Sequence, residues 1–196
     1  MREAKLDRKT KETEIAIEIN LDENLNSNIS TGIGFFNHML ELFAFHSGIY
    51  LKVECNGDLD VDGHHSVEDI GILLGKAIKE ALGNKVGINR YGDAFLTMDE
   101  TLAHCSLDIS GRPYLVFNVK LPCERVGQFE TELTEEFFRA IAVNSGMTLH
   151  LNLEYGKNTH HIIEALFKSF GRAFKQATTI NSENKDKVMS SKGVIE

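Results

Sequence analysis

"DGHHSVEDIG", residues 62–71, sets two adjacent histidines three and four positions ahead of a glutamate, and "NTHHIIEALF", residues 158–167, repeats the arrangement 96 residues later. His64, His65 and Glu68 stand over His160, His161 and Glu164, and the match continues with Gly75 over Gly171, Lys76 over Arg172 and Ala77 over Ala173. Four of the chain's eight histidines fall in these two copies. Further upstream, "HMLELFAFHSGIYLKV" (38–53) lies over "EFFRAIAVNSGMTLHL" (136–151) at an offset of 98. The change of two is expected in the loop between strand and second helix, where length is free to vary. One unit has been written twice.

Each copy reads as strands, helix, strand, helix. "TEIAIEINL" (13–21) carries isoleucines at 15, 17 and 19, the period of a strand with one covered face. "LTMDETLAHCSLDIS" and "RPYLVFNVKL" read as a hairpin around Gly111. "NHMLELFAFHSG", "TEEFFRAIAVNSG" and the longer "SVEDIGILLGKAIKEALG" have apolar residues at helical spacing and stop at glycine, and "IIEALFKSFGRAFKQAT" carries the same spacing over a longer body. The expected architecture is α+β: a mostly antiparallel sheet in each half with two helices on one face. The boundary falls near "GNKVGIN" (83–89), dividing the chain into repeats at 1–86 and 87–180 and a tail at 181–196. The tail has neither period, so it reads by itself as a frayed terminus.

With 196 residues, 42% of them hydrophobic, the chain can bury a substantial core. Its 29 acidic side chains against 21 Lys and Arg give a net charge of −8 with no basic run, which argues against nucleic acid or an anionic membrane as partner. Any anionic ligand must meet a local basic site. Three cysteines, Cys55, Cys105 and Cys123, lack a Cys-x-x-Cys spacing and suit a reducing, cytoplasmic setting. The N-terminus is charged, with no apolar export segment and no run of membrane-spanning length.

Residues i and i+4 share a helix face, so His64 with Glu68 and His160 with Glu164 can each pinch one ion, while His65 and His161 point about a quarter-turn away. Imidazole with carboxylate and no thiolate suits manganese, iron or zinc. A single His-His pair would read as a polar helix start; two copies with the glutamate in register read as metal ligands. His38 offers a further ligand on the first short helix, and the repeat puts Glu136 opposite it. Glu136 reads equally as a ligand or as a solvated acid favoured by the helix dipole.

Taken together, "GIGFFNHMLELFAFHSG", "DGHHSVEDIG", "NRYGDAFLTMDETL", "LDISGRPYLVFN", "NSGMTLHL", "THHIIEALFKSFGRAF" and "SSKGV" closely resemble the imidazoleglycerol-phosphate dehydratase family of histidine biosynthesis, from about residue 5 to the C-terminus. The resemblance implies duplicated ferredoxin-like halves, two Mn(2+) ions per active site and a hollow 24-subunit homo-oligomer with sites at subunit contacts. It also implies conversion of D-erythro-imidazole glycerol phosphate, a small phosphorylated imidazole, to imidazole acetol phosphate and water. By position, the implied metal ligands are His38, His64, His65, Glu68, His160, His161 and Glu164, with Glu136 where the family usually has histidine. The implied substrate contacts are Glu12, Arg90, Arg112, Ser190, Ser191 and Lys192, so the tail would join the active site.

The chemistry explains such a set. The substrate must lose a hydroxyl from the carbon attached to the ring and a proton from the next carbon, which no carbonyl acidifies. A ring held as imidazolate between two metals can expel the hydroxyl, after which a carboxylate can take the proton. Glu12 and Glu164 are both candidates for that base. Arg90, Arg112 and Lys192 suit a phosphate dianion. His46, His104 and His150 read as supporting or structural residues. Two other functions fit the clusters less fully: a dinuclear metallohydrolase for a phosphorylated substrate, and a non-catalytic metal-binding assembly protein that leaves the arginines idle.

Overall fold

The structure is a computed structural model that describes residues 1–23 and 26–195. The first half runs β1 (Glu3–Lys9), β2 (Thr13–Asn20), β3 (Asn28–Ser30), α1 (Gly34–Ser47), β4 (Tyr50–Gly57) and α2 (His64–Leu82). The second runs β5 (Tyr91–Met98), β6 (Thr101–Asp108), β7 (Tyr114–Asn118), β8 (Arg125–Val126), β9 (Phe129–Glu130), α3 (Leu133–Ser145), β10 (Thr148–Tyr155) and α4 (Thr159–Thr178). The sheets have one topology, β1-β2-β4-β3 and β5-β6-β10-β7, antiparallel except for the last pair of each. This is the duplicated ferredoxin-like α+β fold.

The isoleucines at 15, 17 and 19 are all buried on the inner face of β2, as their alternation requires. The helices lie between the two sheets and pack across the repeat: α1 runs along α4 and α3 along α2. One continuous buried cluster therefore joins the halves, with Phe43 stacked on Phe170 at 4.9 Å and Phe36 edge-on to Phe137 at 5.0 Å. The repeated glycines mark the two helix crossings. A Cβ on Gly75 would sit 2.9 Å from the Ile141 carbonyl oxygen, and one on Gly171 would sit 3.0 Å from that of Phe43. Only glycine lets these backbones approach so closely, and the approach lays His38 beside the start of α4.

Two expectations change. The hairpin is not around Gly111: β6 pairs with β5 through a two-residue turn at Asp99-Glu100 and with β10 on its other side, so β7 reaches the sheet only as the parallel neighbour of β10. Asp99 takes the positive φ, +47°, that such a tight turn needs, a task aspartate tolerates better than most residues. The offset also changes in two places. A bulge between Leu153 and Tyr155 adds a residue to β10, making Gly156 the ladder equivalent of Gly57 at an offset of 99, and the loop into α4 is then three residues shorter.

The second half alone carries an insertion between β7 and α3, containing the small β8-β9 hairpin. The tail, although without helix or strand, is docked: Val188 bridges Val86, the Gly87 N–H donates to the Lys187 carbonyl at 2.9 Å, and Arg90 donates to the Met189 carbonyl at 2.9 Å. No helix among the described residues is long and apolar enough to cross a membrane.

Candidate active site

Both long helices open on their doubled histidines, where the first backbone N–H groups have no helical partner. Asn158 caps α4, its side-chain oxygen accepting from the N–H of His160 at 2.9 Å and of His161 at 3.4 Å. At α2 the Asp62 carboxylate accepts from the His64 N–H at 2.8 Å. Successive helical residues differ by about 100° in direction, and the rings follow. His64 and His65 lie 6.4 Å apart at 79°, and His160 and His161 lie 6.3 Å apart at 80°.

On the inner side, His160 Nε2 is 3.2 Å and His38 Nε2 3.5 Å from one oxygen, Oε2, of buried Glu164. The three donors lie within 4.8 Å of one another, the one such trio among the described residues. Ligands bonded at about 2.1 Å and at right angles are about 3 Å apart, so this nitrogen and carboxylate set fits a divalent ion. Lys168, one turn on, bonds the other Glu164 oxygen. Burial, the largest influence on Glu164, raises its pKa, yet Lys168, His160 and His38 together hold it below the usual carboxylate range. The trio crosses the repeat, joining the short helix of the first half to the long helix of the second.

Its counterpart is less closed. His64 Nε2 lies 3.8 Å from Glu68 Oε2, while Glu136 on the adjoining α3 turns an oxygen toward Arg139 Nε at 3.6 Å.

The outer histidines each engage an acid through Nδ1. His65 Nδ1 is 3.0 Å from Asp58, and its Nε2 is 3.9 Å from Glu12 Oε1. His161 Nδ1 is 2.7 Å from Glu100 Oε2, and its Nε2 is 3.8 Å from Asp99. These bonds, to Asp58 and Glu100 respectively, raise the pKa of both imidazoles. Glu100 Oε1 also accepts the backbone N–H groups of Lys157 and Asn158, at 3.0 and 2.8 Å. The carboxylate of Glu12, by contrast, reaches only His65 among the described residues. Its turn is held from below: the Thr10 hydroxyl accepts the N–H groups of Glu12 and Thr13 at 3.1 and 3.0 Å, and Thr13 and Arg8 both donate to buried Asp69, at 2.6 and 2.7 Å.

Arg90, Arg112, Ser190, Ser191 and Lys192 come together around a separate cleft of about 560 Å³. Arg90 is already committed, to Asp108 at 2.7 and 3.0 Å and to the Met189 carbonyl, and so clamps the tail to the body. The Arg90 N–H donates to the carbonyl of Ala177, at the end of α4. Seventeen residues of helix separate Ala177 from His160, or about 25 Å at 1.5 Å per residue. The histidine trio and the basic cleft of one chain therefore sit at opposite ends of the same helix.

Sequence reasoning missed Lys168, Asp58 and Glu100. Lys168 had a signal, lying four residues after Glu164 on the same face. Glu100 becomes visible only through the ladders. Leu102 pairs with Tyr155 and Glu14 with Asn56, which makes Glu100 the structural equivalent of Glu12.

The model of the imidazoleglycerol-phosphate dehydratase family matches residues 31–174. The proteins named imidazoleglycerol-phosphate dehydratase from Acetivibrio thermocellus and Listeria monocytogenes are 57% and 58% identical to the chain, over 99% and 100% of both sequences. Among solved structures, the dehydratase from Staphylococcus aureus superposes with a TM-score of 0.84 at 48% identity, covering 91% of this chain and 99% of that one. That from Pyrococcus furiosus, solved in complex with (S)-C348, gives 0.83 at 36% identity, covering 96% and 99%. Fold and relatives thus define a carbon–oxygen lyase of the dehydrating class, acting in histidine biosynthesis. The chain belongs to the imidazoleglycerol-phosphate dehydratase family.

Proposed function

We propose that the chain dehydrates D-erythro-imidazole glycerol phosphate to imidazole acetol phosphate, in the cytoplasm, at sites shared between copies of itself. The observation that carries this reading is the convergence of His38, His160 and Glu164 on one point in a chain of this family. The donor set suits divalent metal, and two manganese ions per active site are proposed. One would be held by the set around His38, His160 and Glu164, the other by the set around His64, Glu68 and Glu136, with the outer His65 and His161 reaching toward sites completed by other copies. When bound, the ions would supply positive charge at the two ring nitrogens and so favour the imidazolate form.

The residues of the chain divide the remaining work. Glu12, half-exposed and free of strong partners, is the base that takes the proton from the carbon next to the hydroxyl-bearing one. Glu164 is buried and engaged by three neighbours, which suits a ligand better than a base. Loss of hydroxide from the first carbon and of the proton to Glu12 leaves an enol, which ketonises to product; Glu12 gives up the proton it took, and this with the hydroxide makes the one water released. Arg112, Lys192, Ser190 and Ser191 bind the phosphate, and Arg90 fastens the tail that carries three of them.

The separation of about 25 Å along α4 exceeds the length of one imidazole, three carbons and a phosphate. A substrate anchored in the basic cleft of one chain would therefore meet metal ligands of another, which supports a site shared between copies; the 24-subunit size is proposed from the family resemblance alone. Purified protein supplied with manganese should form imidazole acetol phosphate from imidazole glycerol phosphate. Full metal occupancy without that product would refute the reading.

A further inference from the structure

The equivalence of Glu12 and Glu100 is the starting point. Both stand on the turn between the first two strands of their half, one residue before Thr13 and Thr101, and both lie beside the outer histidine of the long helix. Their surroundings have nonetheless exchanged roles. In the first half, the residue after Gly57 is Asp58, whose carboxylate takes His65 Nδ1 at 3.0 Å and leaves Glu12 free. In the second half, the residue after Gly156 is Lys157, which offers His161 no acceptor side chain. There Glu100 bends to His161 Nδ1 at 2.7 Å and ties itself to two backbone N–H groups at the start of α4.

We infer that Asp58 and Glu100, from non-equivalent positions, are the positioning residues for the two outer histidines, each accepting Nδ1–H so that the lone pair stays on Nε2. This deepens the proposed function and rests on its reading of His65 and His161 as metal ligands. Neutral imidazole carries one proton on either nitrogen, and a carboxylate at Nδ1 accepts only the tautomer whose Nε2 can ligate. Partners of this kind also fix ring orientation, and their loss costs about 10- to 100-fold in metal affinity. Once Glu100 serves the helix, no free glutamate remains on the second-half turn, where the shorter Asp99 side chain lies 3.8 Å from His161 Nε2 instead.

The test is Glu100→Gln, with Asp58→Ala beside it. Glutamine keeps a carbonyl oxygen for the N–H groups of Lys157 and Asn158 but presents an NH2 to His161, favouring the wrong tautomer. Asp58→Ala removes the acceptor at His65 Nδ1 outright, and the Asp58 carboxylate bonds nothing else among the described residues. Assembled, chelator-stripped protein would be titrated with manganese, following free Mn(2+) by electron paramagnetic resonance and the melting temperature of the metal-free form. The expected result is one class of site weakened about 10- to 100-fold in each variant, the other class unchanged, and no shift in metal-free melting temperature. Wild-type affinity at both classes of site would overturn the proposal, as would equal weakening of both classes with a lowered melting temperature. Should Glu100→Gln fail to assemble, Asp58→Ala decides alone by the same criteria. Failure of the wild-type protein to take up manganese would instead refute the metal reading beneath it.

Discussion

The two halves share a topology, a helix-crossing glycine and a His-His-x-x-Glu opening, yet the turns that face those histidines differ in what they leave free. In the first half Asp58 takes the outer histidine, and Glu12 stands open on a turn braced by Arg8, Thr13 and Asp69. In the second, Glu100 is consumed as a strut, and the acid after Glu164 is missing, since Ala165 stands where the first half has Asp69. On the proposed reading, duplication has kept the His-His-x-x-Glu cluster that would hold a metal and altered the turn that would move the proton.

Exchanging each of the two glutamates for glutamine should separate their roles. Glu12→Gln should lower kcat by about 100- to 10,000-fold, the range of a lost general base, with manganese uptake unchanged. Glu100→Gln should act through metal affinity and recover activity as manganese is raised. If both variants fail alike with metal bound, the functional asymmetry is wrong. A smaller effect is expected at the anion end. Lys192→Ala removes one charge-assisted contact, about 1.5–3 kcal/mol, and should cost about 10- to 100-fold in kcat/KM at constant metal content. Inductively coupled plasma measurement beside steady-state kinetics would check it. Smallest is the effect on packing. Gly75→Ala and Gly171→Ala each press a methyl group on a backbone carbonyl across a helix crossing and should each destabilise by about 1–3 kcal/mol, read by denaturant unfolding. The two values should be alike if the crossings are truly equivalent.

Much of this was legible from residue patterns, because repeated helices carry their signal locally. The His-His-x-x-Glu openings, the glycine stops and the alternation of β2 each lie within a few residues of themselves. The misplaced hairpin shows where such reading fails. Gly111 and Pro113 resemble turn residues and do redirect the chain, but the tight turn belongs to Asp99-Glu100, which contains no glycine, and β7 is placed by a parallel pairing with β10 more than thirty residues on. The partner of His38 was hidden for the same reason. Its own half supplies α2, yet packing across the repeat sets it on α4, beside His160 and Glu164. Glu100 shares with Glu12 only the threonine that follows it, and the equivalence emerges from the ladders, in which Leu107 takes the place of Ile19 and Glu100 that of Glu12.

A site shared between subunits follows from the separation, within one chain, of the histidine trio from the basic cleft. It is tested most directly by mixing two crippled chains, His160→Ala, which lacks a metal ligand, and an Arg112→Ala/Lys192→Ala double variant, which lacks the anion contacts. Each parent alone should be nearly inactive. Dissociated, mixed and reassembled with manganese, they should recover a substantial fraction of wild-type turnover, because intact metal ligands of one chain then face the intact cleft of another. Mixed assemblies no more active than their parents would contradict the shared site.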